Sequence, residues 1–482
     1  MKYNAMDAIV LSEVFIDIFN ILYVAVILTT IFVVILDNRN PVKTMAWILV
    51  LFFLPLIGLI FYFFFGRSTR KERLISKKGY SRLNKRPMAE YQAQVAFRDL
   101  EDGNPLMTFF LRMNKALPFD GNQVDVYTDA YSMLQSLMHE ISLAKHHIHL
   151  QFYIFENDSV GRLLRDLLID KAREGVKIRL LYDDVGCWKV DPLFFDKMLC
   201  EGIEAQSFLK VRFPRFTSKV NYRNHRKIAV IDGKVGFIGG MNIAERYLRG
   251  FSWGIWRDTH VRIRGKAVYG LQTSFLTDWY VVDRMLLTSA DYFPKMECQG
   301  NVKTQIVTSD PVGGWHDIMQ GLVKALCCAK RYFYIETPYL LPTEEVIIAL
   351  QTAALAGVDV RIMLPKRADT FIIHKGSLSY LDELMRAGVK IYLYRKGFLH
   401  SKLWVSDDEL SSVGSTNMDF RSFEHNFEAN AFFYDKEMAL RLKEIFLSDQ
   451  KKSLALSRKL WNKRSWKNKV IESIVRLLSP LL

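Results

Sequence analysis

Cysteine is scarce in this chain of 482 residues, and the sequence contains no phosphate-binding GxxxxGK[ST] loop. The five cysteines include no CxxC pair and leave an odd number, which argues against a disulfide framework and favours a reducing compartment. The missing loop argues against a nucleotide-dependent P-loop enzyme. No cysteine cluster or carboxylate cage accompanies the histidines described below, so the sequence predicts neither a metal site nor a cofactor.

Charge is missing from two N-terminal stretches. Residues 18–36 carry none, and a helix of that length is roughly 28 Å long, close to the thickness of a bilayer's hydrocarbon core. Residues 45–66 are also uncharged but contain Pro55 and Gly58, which predicts either a kinked span or a segment that enters the membrane and returns. No small-residue cleavage site follows the first stretch, so a membrane hairpin over residues 1–66 is favoured over a signal peptide.

Positive charge dominates the rest of the chain. The net charge of +15 favours a polyanionic partner, either nucleic acid or an anionic bilayer. The apolar stretches favour the bilayer, and we expect no nucleic-acid partner. Residues 67–86 contain nine Lys and Arg against one acid, within a predicted basic linker over 67–115. By the positive-inside rule, we expect a multi-pass protein of the inner (cytoplasmic) membrane whose catalytic domains face the cytoplasm.

Apolar strand-like runs alternate with helix-like stretches beyond about residue 120, which predicts an α/β fold. The order of these segments repeats: AREGVKIRLLYDD at 172–184 aligns with ALAGVDVRIMLPK at 354–366. We therefore predict two similar domains, 116–295 and 296–450, each with a sheet flanked by helices and related by an approximate twofold axis.

The basic tail at 451–482 has a different composition. Trp461, Val470, Ile474 and Leu478 are spaced so that one apolar stripe can form on a helix. Two interpretations stay open: a helix at the membrane interface, or an ordinary C-terminal helix packed on the second domain.

One motif occurs twice with every offset kept. Its members are His225, Lys227, Asp232, Gly239 and Asn242 in the first copy, and His400, Lys402, Asp407, Gly414 and Asn417 in the second. A single HxK is usually structural, but two copies with identical spacing predict a shared function. If the two halves face each other, two imidazoles, two ammonium groups and two amides converge.

That set of groups suits a phosphodiester. Ammonium and amide groups can bind its non-bridging oxygens, while one imidazole attacks phosphorus and the other acts as general acid and base. Each imidazole needs an acceptor on its other ring nitrogen. Asp258 and Glu428, each downstream of its own histidine, compete for this role with the aspartates of the motif, although Asp232 also has the sequence context of a turn.

The repeated H-x-K-x4-D-x6-G-x-x-N motif resembles that of the phospholipase D superfamily, and the chain more narrowly resembles the bacterial cardiolipin synthases. The similarity extends over nearly the whole chain, including QFYIF (151–155), YRNHRK (222–227), TPYLLP (337–342), GFLHSK (397–402) and NMDFRSFEHNFE (417–428). Gly240 departs from the pattern, because many superfamily members have serine there; Ser415 keeps that hydroxyl in the second half.

The resemblance implies that two phosphatidylglycerols give cardiolipin and glycerol through a phosphatidyl-histidine. It implies His225 as the nucleophile and His400 as the general acid and base, although the reverse stays open. The His, Lys and Asp residues of both motif copies would be catalytic, with Asn242, Asn417, Ser415, Asp258 and Glu428 binding phosphate or orienting the histidines. Three alternatives remain: a phospholipase that uses water, a nuclease of the superfamily, and a non-catalytic lipid scaffold. The sequence leaves acyl-chain preference and oligomeric state open, a homo-oligomer included.

Overall fold

The computed structural model describes residues 2–36, 41–62, 104–211 and 221–479. The chain divides into two compact units, one of residues 1–72 with 212–221 and the other of residues 73–211 with 222–482. The basic run at 67–86 lies outside the described residues.

The N-terminal unit begins with one long apolar helix. The helices of this unit are α1 (Lys2–Leu36), α2 (Pro41–Phe53) and α3 (Pro55–Phe61). Within the described residues, only α1 is long and apolar enough to cross a membrane, over the 23 residues of Val14–Leu36. Most apolar side chains of Val14–Leu36 are exposed, as expected for a segment whose surroundings are lipid.

The second predicted membrane segment is interrupted at Leu54, whose backbone angles of φ −132° and ψ 61° leave the helical region. Pro55 follows as the first residue of α3, where its missing N–H is tolerated. Helices α2 and α3 have 13 and 7 residues, and each is shorter than the roughly 20 residues that a straight span needs. The break therefore lies where the proline predicts it; residues 63–66 lie outside the described part of the chain.

The second unit is built on one mixed sheet of 16 strands. After helix α4 (Pro105–Asn114), the first half consists of β1 (Pro118–Tyr127), α5 (Ala130–Ser142), β2 (His147–Phe152), α6 (Ser159–Arg173), β3 (Lys177–Asp183), α7 (Pro192–Cys200), β4 (Glu204–Phe208), β5 (Arg223–Asn224), β6 (Ile228–Ile231), β7 (Val235–Gly239), α8 (Arg246–Arg249), β8 (Ile255–Arg257), β9 (His260–Arg264) and α9 (Val268–Asp283). Its core lies between the apolar faces of the helices and the sheet.

The second half repeats this plan. It consists of β10 (Val302–Ser309), α10 (Asp317–Cys328), β11 (Tyr332–Glu336), β12 (Leu340–Leu341), α11 (Glu344–Leu355), β13 (Asp359–Pro365), α12 (Phe371–Ser379), α13 (Leu381–Arg386), β14 (Lys390–Tyr394), β15 (Gly397–Leu399), β16 (Leu403–Ser406), β17 (Leu410–Gly414), β18 (Met418–Asp419), α14 (Phe420–Glu424), β19 (Asn426–Phe433) and α15 (Lys436–Lys451). The tail adds β20 (Ser453–Ala455), α16 (Arg458–Trp461) and α17 (Trp466–Leu477).

The strand order makes the duplication visible. The main path of the sheet runs β20-β14-β13-β11-β16-β17-β19-β10-β1-β9-β7-β6-β2-β3-β4, and the sixteenth strand, β5, pairs with β19 off this path. The second half is thus the first half read from the opposite edge. Strands β1 and β10 pair antiparallel at the centre and join the halves into one sheet. This arrangement is mixed α/β with helices on the sheet, as the alternating pattern predicts, and it brings equivalent elements of the two halves to a common centre.

Candidate active site

Both histidines lie in short connections immediately before equivalent central strands. His225 and Lys227 precede β6, and His400 and Lys402 precede β16. The preceding short strand ends before each histidine, and the next strand begins after each lysine.

Each histidine is held beside the other half of the repeat by a short parallel strand pair. Strand β5 pairs with β19, with Asn224 opposite Phe427, and the next amide along, that of His225, donates to the Phe427 carbonyl at 2.9 Å. Strand β15 pairs with β8 in the same way, and the His400 amide donates to the Arg257 carbonyl at 2.7 Å. This register brings His225 next to Glu428 and His400 next to Asp258.

The carboxylates that hold the imidazoles are therefore exchanged between the halves. The Nδ1 atom of His225 lies 2.9 Å from Oε1 of Glu428, and Nδ1 of His400 lies 2.6 Å from Oδ2 of Asp258. The pairing expected from the sequence, of each carboxylate with the histidine upstream of it, is wrong. The cause is the crossed strand pairing, which links residues more than 140 positions apart and leaves no local signal.

The two carboxylates have different supports. Glu428 accepts hydrogen bonds from the Ser415 hydroxyl and from Asn426 Nδ2 at 3.3 Å. Asp258 accepts from the Thr259 amide at 2.8 Å, and Gly240 occupies the place equivalent to Ser415. A Cβ atom at Gly240 would lie 2.0 Å from Oδ1 of Asp258. Glycine at 240 therefore makes room for the carboxylate, which explains the missing hydroxyl.

Burial controls the ionisation of the four groups. Burial lowers the pKa of His225 to about 4, and Glu428 opposes this only in part. Burial and the Lys402 ammonium lower the pKa of His400 to about 3. Burial acts to raise the pKa of Asp258, but Lys402 and His400 more than offset this effect, so the pKa is lowered. The pKa of Glu428 is also lowered, because His225 and Lys227 outweigh the effect of burial there. At neutral pH both rings are thus neutral, and a ring that donates Nδ1–H to its carboxylate keeps the lone pair on Nε2.

Both histidines line one cavity of about 390 Å³. Its wall combines aromatic and aliphatic side chains with three arginines, three asparagines and two aspartates: Tyr153, Ile154, Arg223, His225, Asn242, Arg246, Tyr247, Phe251, Trp256, Tyr339, Leu341, Asp369, Ile373, His400, Asn417, Asp419, Arg421 and Asn426. The convergence of the two motif copies that the sequence predicts is therefore present.

The two asparagines of the motif line this cavity, but their contacts differ. The Asn242 amide accepts from the Ile154 amide at 3.0 Å and donates to the Tyr247 hydroxyl. Among the described residues, Oδ1 of Asn417 has no hydrogen-bond partner although it is buried. Oδ1 of Asn417 can thus accept a hydrogen bond from a ligand hydroxyl without breaking an existing contact.

The two lysines lie behind the histidines rather than on the cavity wall. Lys227 is fully buried, and its Nζ donates to the carbonyl of His225 at 2.6 Å. Lys402 donates to the carbonyl of His400. Burial lowers the pKa of Lys402 to about 8 and moves that of Lys227 in the same direction. In this arrangement the two lysine side chains fix the histidine backbone from behind the rings.

Asp232 and Asp407 are not part of this centre. Asp232 lies in the turn between β6 and β7 at φ +51° and accepts hydrogen bonds from the backbone amides of residues 145–147 at 2.8 to 2.9 Å. Asp407 lies in the equivalent turn at φ +57° and accepts from the amides of residues 330–332. Both are predicted from the sequence to be catalytic; in the structure each carboxylate fastens a hairpin to a neighbouring strand.

Comparison with known proteins identifies the family. The family described as "Cardiolipin synthase, PLD-like domain" matches residues 137–279 and 322–450, and that described as "Phospholipase D-nuclease N-terminal" matches residues 21–67. The chain is 41% identical to the cardiolipin synthase of Geobacillus sp. (strain WCH70), over 94% of this chain and 91% of that protein. It is 39% identical to the major cardiolipin synthase of Bacillus subtilis (strain 168), over 98% of this chain and 100% of that protein.

The chain belongs to the cardiolipin synthase family. It is accordingly a phosphatidyltransferase that is anchored to the membrane through its N-terminal region. The phosphatidylserine synthase of Haemophilus influenzae Rd KW20 has the same fold, with a TM-score of 0.61 and 13% identity over 79% of this chain and 100% of that structure.

In this member of the cardiolipin synthase family, most residues of the cavity wall are not predicted from the sequence. Trp256 and Tyr339 surround the His400 ring at centroid distances of 5.1 and 6.5 Å, and Tyr153 lies 5.1 Å from His225. Arg246 and Arg421 add positive charge. In the sequence, the aromatic residues near the motifs have the same spacing as core residues. Only the fold shows that these side chains line the cavity.

Proposed function

We propose that this enzyme converts two phosphatidylglycerols into cardiolipin and glycerol through a phosphatidyl-histidine intermediate. The observation that carries the proposal is the pair of imidazoles on one cavity, each with Nδ1 bound by a carboxylate. Three arginines on the same wall suit an anionic phosphodiester. The names of the relatives agree with this substrate class.

In the first step, Nε2 of His225 attacks phosphorus and the bond between phosphorus and the glycerol headgroup oxygen breaks. His400 donates its Nε2 proton to that oxygen, and glycerol leaves. The anionic phosphate favours the protonated form of His400, and Asp258 stabilises the imidazolium. Asn417 binds a phosphoryl oxygen through its amide group, while Lys227 and Lys402 contribute charge from behind the rings.

In the second step, the headgroup hydroxyl of another phosphatidylglycerol takes the place of glycerol. His400 accepts its proton, the oxygen attacks phosphorus, and the bond between phosphorus and His225 breaks to release cardiolipin. One phosphodiester replaces another, so the reaction needs no nucleotide. The apolar residues of the cavity wall disfavour water as the competing acceptor.

Product analysis tests this proposal. Full-length protein in phosphatidylglycerol vesicles should form cardiolipin and glycerol in equal amounts, measured by mass spectrometry and a glycerol assay. Phosphatidic acid as the main product would instead establish a phospholipase, the alternative that uses the same residues. His225→Ala and His400→Ala serve as controls, and each should abolish turnover. Absence of any product from the wild-type enzyme would support a non-catalytic scaffold.

We further propose that α2 and α3 form a second membrane segment and that the catalytic halves, 116–295 and 296–450, face the cytoplasm. The basic residues at 67–86 support this orientation. Cys200, Cys298, Cys327 and Cys328 are exposed in the second unit. A membrane-impermeant thiol reagent should therefore label them only after cells are permeabilised, whereas labelling of intact spheroplasts would contradict this topology.

A further inference from the structure

Helix α12 forms part of the cavity wall and also part of the protein surface. Asp369, just before the helix, and Ile373 within it both line the cavity. Phe371 and Ile372 point elsewhere and are 66% and 46% exposed. The same short segment thus connects the reacting centre to an apolar patch.

Helix α17 packs on α12 through one face. The Asn468 side chain accepts from Nζ of Lys375 at 2.9 Å. The buried Glu472 accepts from Nε of Arg464 at 3.0 Å and lies 4.0 Å from Nζ of Lys375. Val475 is also buried. Positions 468, 472 and 475 lie on one side of a helix, so this side is the anchored one.

The opposite side of α17 is apolar and uncovered. Trp466, Val470, Ile474 and Leu477 follow one another at helical spacing and are 70%, 45%, 56% and 81% exposed. Residue 470 is two positions from 468, about 200° around the helix, so the two faces are back to back. Helix α17 therefore packs on the second half, as one interpretation of the tail predicts, and it leaves an apolar stripe at the surface.

The tail that carries this stripe is strongly basic. Residues 451–482 contain nine Lys and Arg and one acid, Glu472, and that acid is buried in its ion pair. Lys459, Lys463 and Lys467 of the same tail are exposed. An apolar stripe with tryptophan in a cationic tail matches the headgroup region of an anionic bilayer.

We propose that the α12–α17 face, defined as Phe371, Ile372, Trp466, Val470, Ile474 and Leu477 with their flanking lysines, binds the anionic bilayer and holds the cavity at headgroup level. This inference deepens the proposed lipid transfer and rests on it. The face binds the bilayer surface rather than a single lipid molecule. It therefore affects how fast bilayer substrate reaches the cavity and leaves the rate of the chemical step unchanged.

The test compares two forms of one substrate. Full-length enzyme carrying Ile474→Asp and Leu477→Asp should turn over phosphatidylglycerol in vesicles on the order of tenfold more slowly, because both apolar side chains lose their burial in lipid. Turnover of short-chain phosphatidylglycerol below its micelle concentration should be unchanged. The matched control, Ile348→Asp with Leu355→Asp on α11, changes two residues that are 53% and 73% exposed and should leave both rates unchanged.

Hydrogen exchange gives a readout that does not depend on turnover. Amides of residues 466–477 should exchange more slowly in phosphatidylglycerol nanodiscs than in phosphatidylcholine nanodiscs, and the double variant should lose this difference. Equal exchange in the two lipids, equal losses on vesicle and short-chain substrates, or loss of self-association alone would overturn the proposal. If the wild-type enzyme makes no cardiolipin but its residues 466–477 are still protected from hydrogen exchange in phosphatidylglycerol nanodiscs, the proposed reaction is refuted and the proposed bilayer-binding face is supported.

Discussion

Nδ1 of His400 lies 2.6 Å from Oδ2 of Asp258, a carboxylate that belongs to the other half of the repeat. Glu428 has the reciprocal relation to His225 at 2.9 Å. Each catalytic half thus contains a histidine whose orientation depends on the opposite half. This reciprocity makes the two halves a single catalytic centre. Strands β1 and β10 join the same two halves into one sheet.

Removing either acceptor should weaken catalysis without weakening binding. Asp258→Asn and Glu428→Gln keep the shape of the side chain but present an amide that favours the wrong tautomer or a rotated ring. We expect kcat to fall on the order of 100-fold with little change in KM. Histidine NMR signals should show Asp258→Asn perturbing His400 and Glu428→Gln perturbing His225; the reverse assignment would contradict the crossed pairing.

Gly240 should tolerate no side chain. A serine there would bring Cβ to within 2.0 Å of Oδ1 of Asp258, so Gly240→Ser should displace the carboxylate and lower kcat despite restoring the common superfamily residue. Gly314→Ser is the matched control, because no atom lies within 4 Å of its Cβ position. An active Gly240→Ser enzyme would show that the Asp258 position is less constrained than the packing indicates.

Asp232 should affect stability rather than chemistry. Asp232→Ala removes the acceptor of three backbone amides and places alanine at a positive φ, which should cost about 1–3 kcal/mol of unfolding free energy. The measurement is the thermal midpoint together with kcat per folded molecule at low temperature. A large fall in kcat with an unchanged midpoint would restore Asp232 to the catalytic group.

Acid should destabilise the fold through the buried histidines. The pKa of His225 is about 4 in the folded protein against 6.5 for an ordinary histidine, so the unfolded chain takes up protons first as the pH falls. The contribution of His225 to the free energy of unfolding is therefore fully present above pH 6.5 and is lost progressively as the pH falls toward 4. Thermal midpoints in detergent should fall over this window, and His225→Gln should make the fall shallower. An equal slope in that variant would show that His225 is protonated in the native state.

The sequence predicted the features that repetition and composition encode. Two motif copies with identical offsets indicated one centre, and alternating segments indicated a duplicated α/β fold. Pro55 indicated where the second apolar segment breaks. These signals are local, or depend on comparing one half of the chain with the other.

The remaining features arise from contacts that only the fold creates. The strand pairs β5–β19 and β8–β15 decide which carboxylate meets which histidine, and no spacing within either motif records that choice. The seven-residue offset from His225 to Asp232 suggests a catalytic role for Asp232, but this offset follows from the length of β6 and its turn. Side chains such as Tyr339 could not be separated from core aromatics without the cavity they surround.

Trapping the covalent intermediate is the most direct test of the central claim that both imidazoles act on one phosphorus. His400→Asn enzyme incubated with phosphatidylglycerol and then digested should yield a peptide that carries a phosphatidyl group on His225, identified by mass spectrometry. His225→Asn enzyme should yield none. An adduct on His400, or cardiolipin formed by the His225→Asn enzyme, would contradict the account.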